Sequence, residues 1–239
     1  KINIGLFGYG VVGESLHHVL QHSKTVDAEI SKICVKQRNK QRNLPENQFT
    51  FNKEDIINDS DINLVVELID DAEEAYDIVK NCLLKNKSVV SGNKKMLAHH
   101  LEELIEIQEK TKTSLLYDAS ACGSIPVIRN IEEYYDNDLL KSVTGILNGS
   151  SNYILSKIFN EGIDYNTALK QAQELGFAES NPSLDVDGFD SLYKLIIITT
   201  HALGTYVKPD DVLNYGISNI QSGDIQFARE KGFKIKLVA

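Results

Sequence analysis

The sequence predicts an α/β protein: a parallel sheet with helices on both faces over residues 1–120, joined to a mixed α/β domain over residues 121–239. Three observations predict it. Short apolar runs alternate with amphipathic stretches through the first hundred residues, and parallel strands need such crossovers. A glycine-rich turn stands at the first junction of strand and helix. The 239 residues are 42% hydrophobic and 25% charged, close to the globular average and enough for one large or two small domains.

The elements follow in order. Residues 2–7 read as a buried strand, and residues 11–22 as a helix with Val12, Leu16, Val19 and Leu20 on one face. Residues 30–35 and 64–69 are further strands, with a helix over 72–86 after the second. Residues 88–90 form a short strand. Leu97, Leu101, Leu104 and Ile105 give the next helix its stripe, and residues 114–117 close the series. Past residue 120 the pattern changes. Pro126 suits the first turn of a helix running to Tyr135. Residues 141–147 read as a strand and 152–159 as a helix. Asp164 can cap a helix through Leu175, with Gly176 just beyond its end. Residues 189–203 are a helix and 233–239 a strand. A segment as small as 121–239 cannot cover both faces of a sheet, so one face is expected to meet a second copy in a two-fold homodimer.

The formal net charge is −9, which argues against nucleic acid or an anionic membrane surface as partner. The apolar runs are far shorter than the ~20 residues of a spanning helix. The first residues lack the apolar core of a secretory leader. Cys34, Cys82 and Cys122 are odd in number and far apart, which excludes a disulfide framework and fits a reducing compartment, so a cytoplasmic location is expected.

Gly8-Tyr9-Gly10-Val11-Val12-Gly13 is a G-x-G-x-x-G between a predicted strand and a predicted helix. That context makes it a dinucleotide fingerprint and the first domain Rossmann-type. Gly8 allows the tight turn, Gly10 lets the backbone approach a pyrophosphate, and Gly13 lets helix and strand pack closely. Val11, Val12 and Gly13 open the helix, whose free N–H groups face the phosphates. About 20 residues on, where an acid would hold the ribose 2′-OH of NAD, stands Lys36 instead, 23 positions past Gly13. Lys36, Arg38, Lys40 and Arg42 suit a 2′-phosphate, so NADP(H) is expected to be preferred over NAD(H); the alternative is a solvated basic loop.

Between residues 179 and 194 lie Glu179, Asp185, Asp190 and Lys194. Asp190 and Lys194 share a helix face at i and i+4. A partly desolvated lysine among carboxylates can move a proton, whereas an exposed pair of this kind would be structural only.

Four blocks together resemble the homoserine dehydrogenases: residues 5–13, Ser91-Gly92-Asn93-Lys94-Lys95, Gly145-Ile146-Leu147-Asn148-Gly149-Ser150-Ser151-Asn152-Tyr153-Ile154-Leu155, and residues 172–194. The resemblance covers essentially the whole chain. It implies NAD(P)H-dependent reduction of L-aspartate 4-semialdehyde to L-homoserine, on the route to threonine, methionine and isoleucine. It implies that Lys194 is the proton donor, that Asp190 lies beside it and helps bind substrate, that Glu179 holds the substrate ammonium and that Asp185 lines the same pocket. Lys94 becomes a second essential lysine beside cofactor and substrate, and Gly176 lies near the cofactor. Residues 118–125 match a stretch that binds a monovalent cation such as sodium, through Asp118 and the carbonyls of Ala121, Gly123 and Ile125.

The chain departs from the family pattern in four places. Asp118 replaces Glu, Cys122 and Ser124 replace glycines, Asp70-Asp71 replace a Gly-Gly, and Phe177 replaces a tyrosine. Family members are longer, so the second domain is expected to be incomplete at its C-terminus. The other readings are a different two-domain NAD(P)-dependent dehydrogenase, which residues 148–155 disfavour, and a non-catalytic dinucleotide-sensing module.

Overall fold

A computed structural model describes residues 1–135, 137 and 139–239. The backbone divides into two compact units, Lys1–Ser120 and Ala121–Ala239.

The first unit is built on six parallel strands, β1 (Ile2–Phe7), β2 (Ala28–Cys34), β3 (Phe49–Thr50), β4 (Leu64–Glu67), β5 (Ser88–Ser91) and β6 (Leu115–Leu116). Their order is β3-β2-β1-β4-β5-β6. The order reverses direction between β1 and β4, so the carboxyl ends of these two strands flank the switch point at which such sheets bind ligands. The helices are α1 (Val11–His22), α2 (Glu54–Ile57), α3 (Ala72–Leu84) and α4 (Lys94–Thr111); α5 (Asp118–Cys122) lies at the junction of the units. On one sheet face Leu16 and Leu20 of α1 pack against Ile4, Leu6, Ile33 and Val66. Elsewhere Ile56, Ile57, Ile62, Ile78, Val79 and Leu83 are fully buried. The inner strands, over residues 4–7 and 64–66, are apolar on both sides because helices cover both sides, as parallel sheets require.

Two details differ from the sequence expectation. Val12 and Val19 are 62% and 61% exposed, and of the four apolar residues only Leu16 and Leu20 pack, half-buried, against the sheet. The spacing was correct for a helix, but it marks the apolar arc and not which edge of that arc the sheet covers. The strand expected over 64–69 ends at Glu67, because Ile69 N–H turns back to the Glu67 carboxylate at 2.8 Å instead of extending the ladder. β3 and α2 are too short to show a periodicity.

The second unit holds α6 (Val127–Tyr134), α7 (Gly149–Glu161), α8 (Tyr165–Glu174), α9 (Ser183–Val186), α10 (Phe189–Leu203) and α11 (Ser222–Glu230). Its core gathers Ile154, Leu155, Ile158, Ala168, Ala172, Val186, Ile217 and Ile225. Side chains cap the helices where the sequence offers acceptors: Asn148 caps α7 and Asp164 caps α8, each accepting from the N–H three residues on. The strands expected over 141–147 and 233–239 are not formed among the described residues. Gly145 and Ala239 instead exchange two backbone hydrogen bonds of 2.9 Å, a single antiparallel rung. One rung without a neighbouring ladder does not make a strand, since sheets gain stability from three or more paired strands. The helix expected over 152–159 begins earlier, at Gly149, because Asn148 supplies the cap.

Candidate active site

The glycine turn after β1 has the shape its sequence implies. Gly8 sits at φ +93°, and a Cβ there would lie 2.5 Å from the Leu68 carbonyl oxygen. A Cβ on Gly13 would lie 2.5 Å from the Gly8 carbonyl oxygen, which is how closely α1 meets the turn. Around Gly10 there is nothing within 4 Å, and Val11 is 84% exposed. The cradle is therefore closed behind Gly8 and Gly13 and open in front of Gly10. The first N–H groups of α1, at Val11, Val12 and Gly13, have no intrahelical acceptor and lie at the positive end of the helix dipole. These residues fit a dinucleotide pyrophosphate.

The basic run after β2 is only partly available to a ligand. The Lys36 ammonium pairs with Glu74 and, at 3.8 Å, with Asp71. Asp71 is also the N-cap of α3, accepting from Glu74 N–H at 3.0 Å. That backbone bond, with Lys36 adding to it, holds the Asp71 carboxyl below its usual range. The acids that replace the expected Gly-Gly thus end in different places: Asp71 is spent on a cap and a lysine, and Asp70 is exposed. The Arg38 guanidinium lies 4.8 Å over the Phe51 ring. It lines a cavity of about 410 Å³ with Lys40, Arg42, Phe49 and Phe51.

At the carboxyl ends of β4 and β5 stands a buried network that sequence alone did not single out. The Glu67 carboxyl is fully buried, accepts from Ser91 Oγ at 2.5 Å and from Ile69 N–H at 2.8 Å. Burial pushes its pKa up. Ser91 Oγ accepts from Asn93 N–H, and Asn93 Nδ2 donates to the Ile69 carbonyl at 2.9 Å. Asn93 Oδ1 caps α4 through Met96 N–H, so Lys94 stands in the first turn of a helix with a fixed start and is half-buried.

In the second unit the ionisable stretch closes into a cluster. Lys194 Nζ pairs with Asp190 Oδ2 at 2.7 Å and donates to the Leu147 carbonyl at 2.9 Å. The two side chains are 19% and 8% exposed, so this is no solvated surface pair. Asn148 Nδ2 donates to Asp185 Oδ1 at 2.7 Å and to Asp190 Oδ2 at 3.0 Å. Asp190 lies in the first turn of α10, where a negative charge is favoured. The fold thus brings Asp185, Asp190 and Lys194 together and adds Leu147 and Asn148. Glu179 is exposed, and among the described residues its carboxylate makes no hydrogen bond or ion pair; its backbone carbonyl accepts from Gln173 Nε2 at 3.0 Å. Gly176, at φ +76°, ends α8 in an exposed turn. A signal for Asn148 was present in the sequence: Asn is among the favoured N-caps, and a helix start at residue 149 puts it in that place.

Among the described residues no group of three or more His, Cys, Asp or Glu side chains could hold a metal ion. In the stretch 118–125, Gly123 turns the chain at φ +61° and the Ile125 carbonyl accepts from Val127 N–H at 2.8 Å. One carboxylate and backbone carbonyls make an all-oxygen set, which fits a hard cation and not a transition metal. Among the described residues no helix is long and apolar enough to cross a membrane.

Two family models match, homoserine dehydrogenase NAD binding domain over residues 8–118 and homoserine dehydrogenase over residues 126–239. The homoserine dehydrogenase of Helicobacter pylori is 37% identical, aligned over 100% of this chain and 58% of its own length. That of Bacillus subtilis is 34% identical over 99% of this chain and 57% of its own. The crystal structure of a homoserine dehydrogenase from Thiobacillus denitrificans superposes with a TM-score of 0.91 at 31% identity, covering 99% of this chain and 57% of that one. That of S. aureus gives 0.82 at 34% identity, covering 100% and 62%. The chain spans somewhat over half the length of the curated relatives it matches. With both units matched by models of one family and the cluster of Asn148, Asp185, Asp190 and Lys194 closed in space, the chain belongs to the homoserine dehydrogenase family.

Proposed function

We propose that this protein reduces L-aspartate 4-semialdehyde to L-homoserine with a reduced nicotinamide dinucleotide, a step in threonine, methionine and isoleucine biosynthesis. The observation that carries the reading is the buried contact of Lys194 with Asp190 and the Leu147 carbonyl, a single ammonium held beside two ordered carboxylates. When bound, the dinucleotide supplies the hydride. Gly10, Val11, Val12 and Gly13 would hold its pyrophosphate by backbone N–H groups, and Gly8, whose N–H donates to the Cys34 carbonyl at 3.0 Å, would shape the turn that lets it approach. Lys194 Nζ gives its proton to the aldehyde oxygen as negative charge builds there, and takes another from solvent afterwards. Asp190 orients that ammonium and, with Asp185 and the exposed Glu179 carboxylate, attracts the substrate ammonium. Lys94 and Gly176 serve cofactor and substrate from the starts and ends of their helices. The second domain acts as catalytic and dimerisation domain in a homodimer, and Asp118 with the Ala121, Gly123 and Ile125 carbonyls takes a sodium-like cation.

For the cofactor, NADP(H) binds more tightly than NAD(H) in this reading, with Arg38 and Lys36 facing the 2′-phosphate. Arg38 carries more of that preference, because the charge of Lys36 is already met by Glu74 and Asp71. The test of the whole is absorbance at 340 nm: full-length protein with NADPH oxidises it on addition of aspartate semialdehyde. No oxidation with either NADPH or NADH overturns the activity. Light scattering of the full-length protein at micromolar concentration checks the homodimer, and a monomeric mass contradicts it.

A further inference from the structure

The ordered carboxylates of the second unit have one feature in common: both lean on the same nitrogen. Asn148 is buried at 5% exposure. Its Oδ1 accepts from Ser151 N–H at 2.7 Å and so caps α7. Its Nδ2 carries two hydrogens, and each goes to a different carboxylate, Asp185 on α9 and Asp190 on α10. Every polar atom of the side chain is therefore used, and used toward three separate elements.

The neighbouring residue completes the arrangement. Leu147 O accepts from Lys194 Nζ at 2.9 Å, and the same Lys194 Nζ meets Asp190 Oδ2 at 2.7 Å. Asp190 Oδ2 thus accepts from both Asn148 and Lys194. Moving Asn148 moves the oxygen on which the ammonium rests. The other charged groups nearby are engaged elsewhere or open to solvent. Asp187 accepts from Ser218 Oγ at 2.9 Å, Glu132 pairs with His201 at 2.7 Å, and Glu179 is exposed.

We propose that Asn148 is a positioning residue for the reaction: one neutral side-chain amide sets the spacing of Asp185 and Asp190 and, through Asp190, the place of the Lys194 ammonium. The assignment rests on the dehydrogenase reading above. Its chemistry requires neutrality. A neutral double donor joins both carboxylates without adding charge between them. An aspartate in the same place keeps the shape and the cap but removes both donors and adds a third negative charge.

The test compares Asn148→Asp and Asn148→Ser in the full-length protein. Both replacements keep the N-cap, so Asn148→Ser should melt within several degrees of wild type, and Asn148→Asp lower, since it buries a third carboxylate beside two. At one fixed pH the NMR shifts of the Asp185 and Asp190 carboxyl carbons should change in both variants, further in the Asp variant, and this readout does not need activity. In the NADPH assay kcat should fall at least tenfold, and the acidic limb of the kcat/KM profile should move up in the same order, with the dissociation constant for the cofactor unchanged. Loss of turnover at an unchanged melting temperature also supports the proposal. Carboxyl NMR shifts and pH profiles that overlay on wild type overturn it and leave Asn148 a helix cap only. If wild type itself does not turn over, the dehydrogenase reading fails, and the carboxyl NMR shifts still decide whether Asn148 holds the pair. If one variant does not fold, the other carries the comparison.

Discussion

Lys194 makes the sharpest claim at the scale of a residue. An exposed i,i+4 pair is worth a few tenths of a kcal/mol and would be replaceable. This pair is largely buried and its lysine has a second acceptor in Leu147, so the ammonium is held in one place. Lys194→Ala should lower kcat by about 10²- to 10⁴-fold, the usual range for a lost general acid. The cofactor dissociation constant should not change; turnover at the wild-type rate would return the pair to a structural role. At Lys36 and Arg38 the structure separates two cations that sequence treats alike. Lys36 has its ammonium raised in pKa by the hydrogen bond to Glu74 and already balanced by acids. Arg38 stacks on the Phe51 ring and pairs with no acid among the described residues. Fluorescence titration should show Arg38→Ala weakening NADP by about 10- to 100-fold, as for a charge-assisted hydrogen bond lost, and Lys36→Ala by less than about fivefold. Equal affinities of the wild type for NADP and NAD would show that the basic run is a solvated loop.

The glycine turn carries the argument at the scale of an element. Its motif was legible because each glycine answers a local demand: a positive φ at Gly8, a close helix at Gly13, an open face at Gly10. The structure makes the three demands separable. Gly8→Ala puts a methyl against a backbone oxygen in a left-handed conformation, at a cost of about 1–3 kcal/mol, and should lower the melting temperature by several degrees. Gly10 has ordinary extended backbone, at φ −100°, and meets nothing. Gly10→Ala should melt like wild type and yet lose at least about tenfold in dinucleotide affinity, since its methyl stands where the pyrophosphate approaches. Calorimetry for melting and titration for affinity distinguish the two; equal effects on both quantities would contradict this division of labour. The strands and long helices of the first unit were legible for a similar reason, because periodicity is local. The strands over 141–147 and 233–239 were not, since a β-like run becomes a strand only when a partner ladder forms, and here one rung joins them.

For the molecule as a whole, pH reports on the buried acid of the first unit. Asp71, Asp164 and Glu103 have carboxyls lowered by hydrogen bonds, so they stabilise the fold above their unfolded values and lose that contribution as pH falls. Glu67 works in the opposite sense. Burial raises its pKa from 4.5, so the folded state binds its proton more tightly than the unfolded chain does. Its contribution is fully present below the unfolded value and is lost as pH rises through the folded one. Glu67→Gln isolates it. The melting temperature of wild type minus that of the variant should be largest near pH 4.5 and shrink steadily toward pH 8. A difference that stays flat, or that grows with pH, would show that Glu67 is ionised in the fold.

The sequence by itself determined the parallel sheet and the dinucleotide turn, because these rest on local spacing and residue chemistry; the roles of its ionisable side chains came only from the resemblance to a family. It placed Asp190 and Lys194 on one helix face but could not tell a solvated pair from a buried one. Tertiary structure decided that question by closing Leu147 and Asn148 over them from a segment more than 40 positions away in the chain. It also decided that Lys36 faces Glu74 and Asp71, and that Glu67 ends its strand without solvent. Each of these is a contact between segments remote in sequence. Burial and charge pairing are properties of the surroundings of a residue, and those surroundings exist only once the chain has folded.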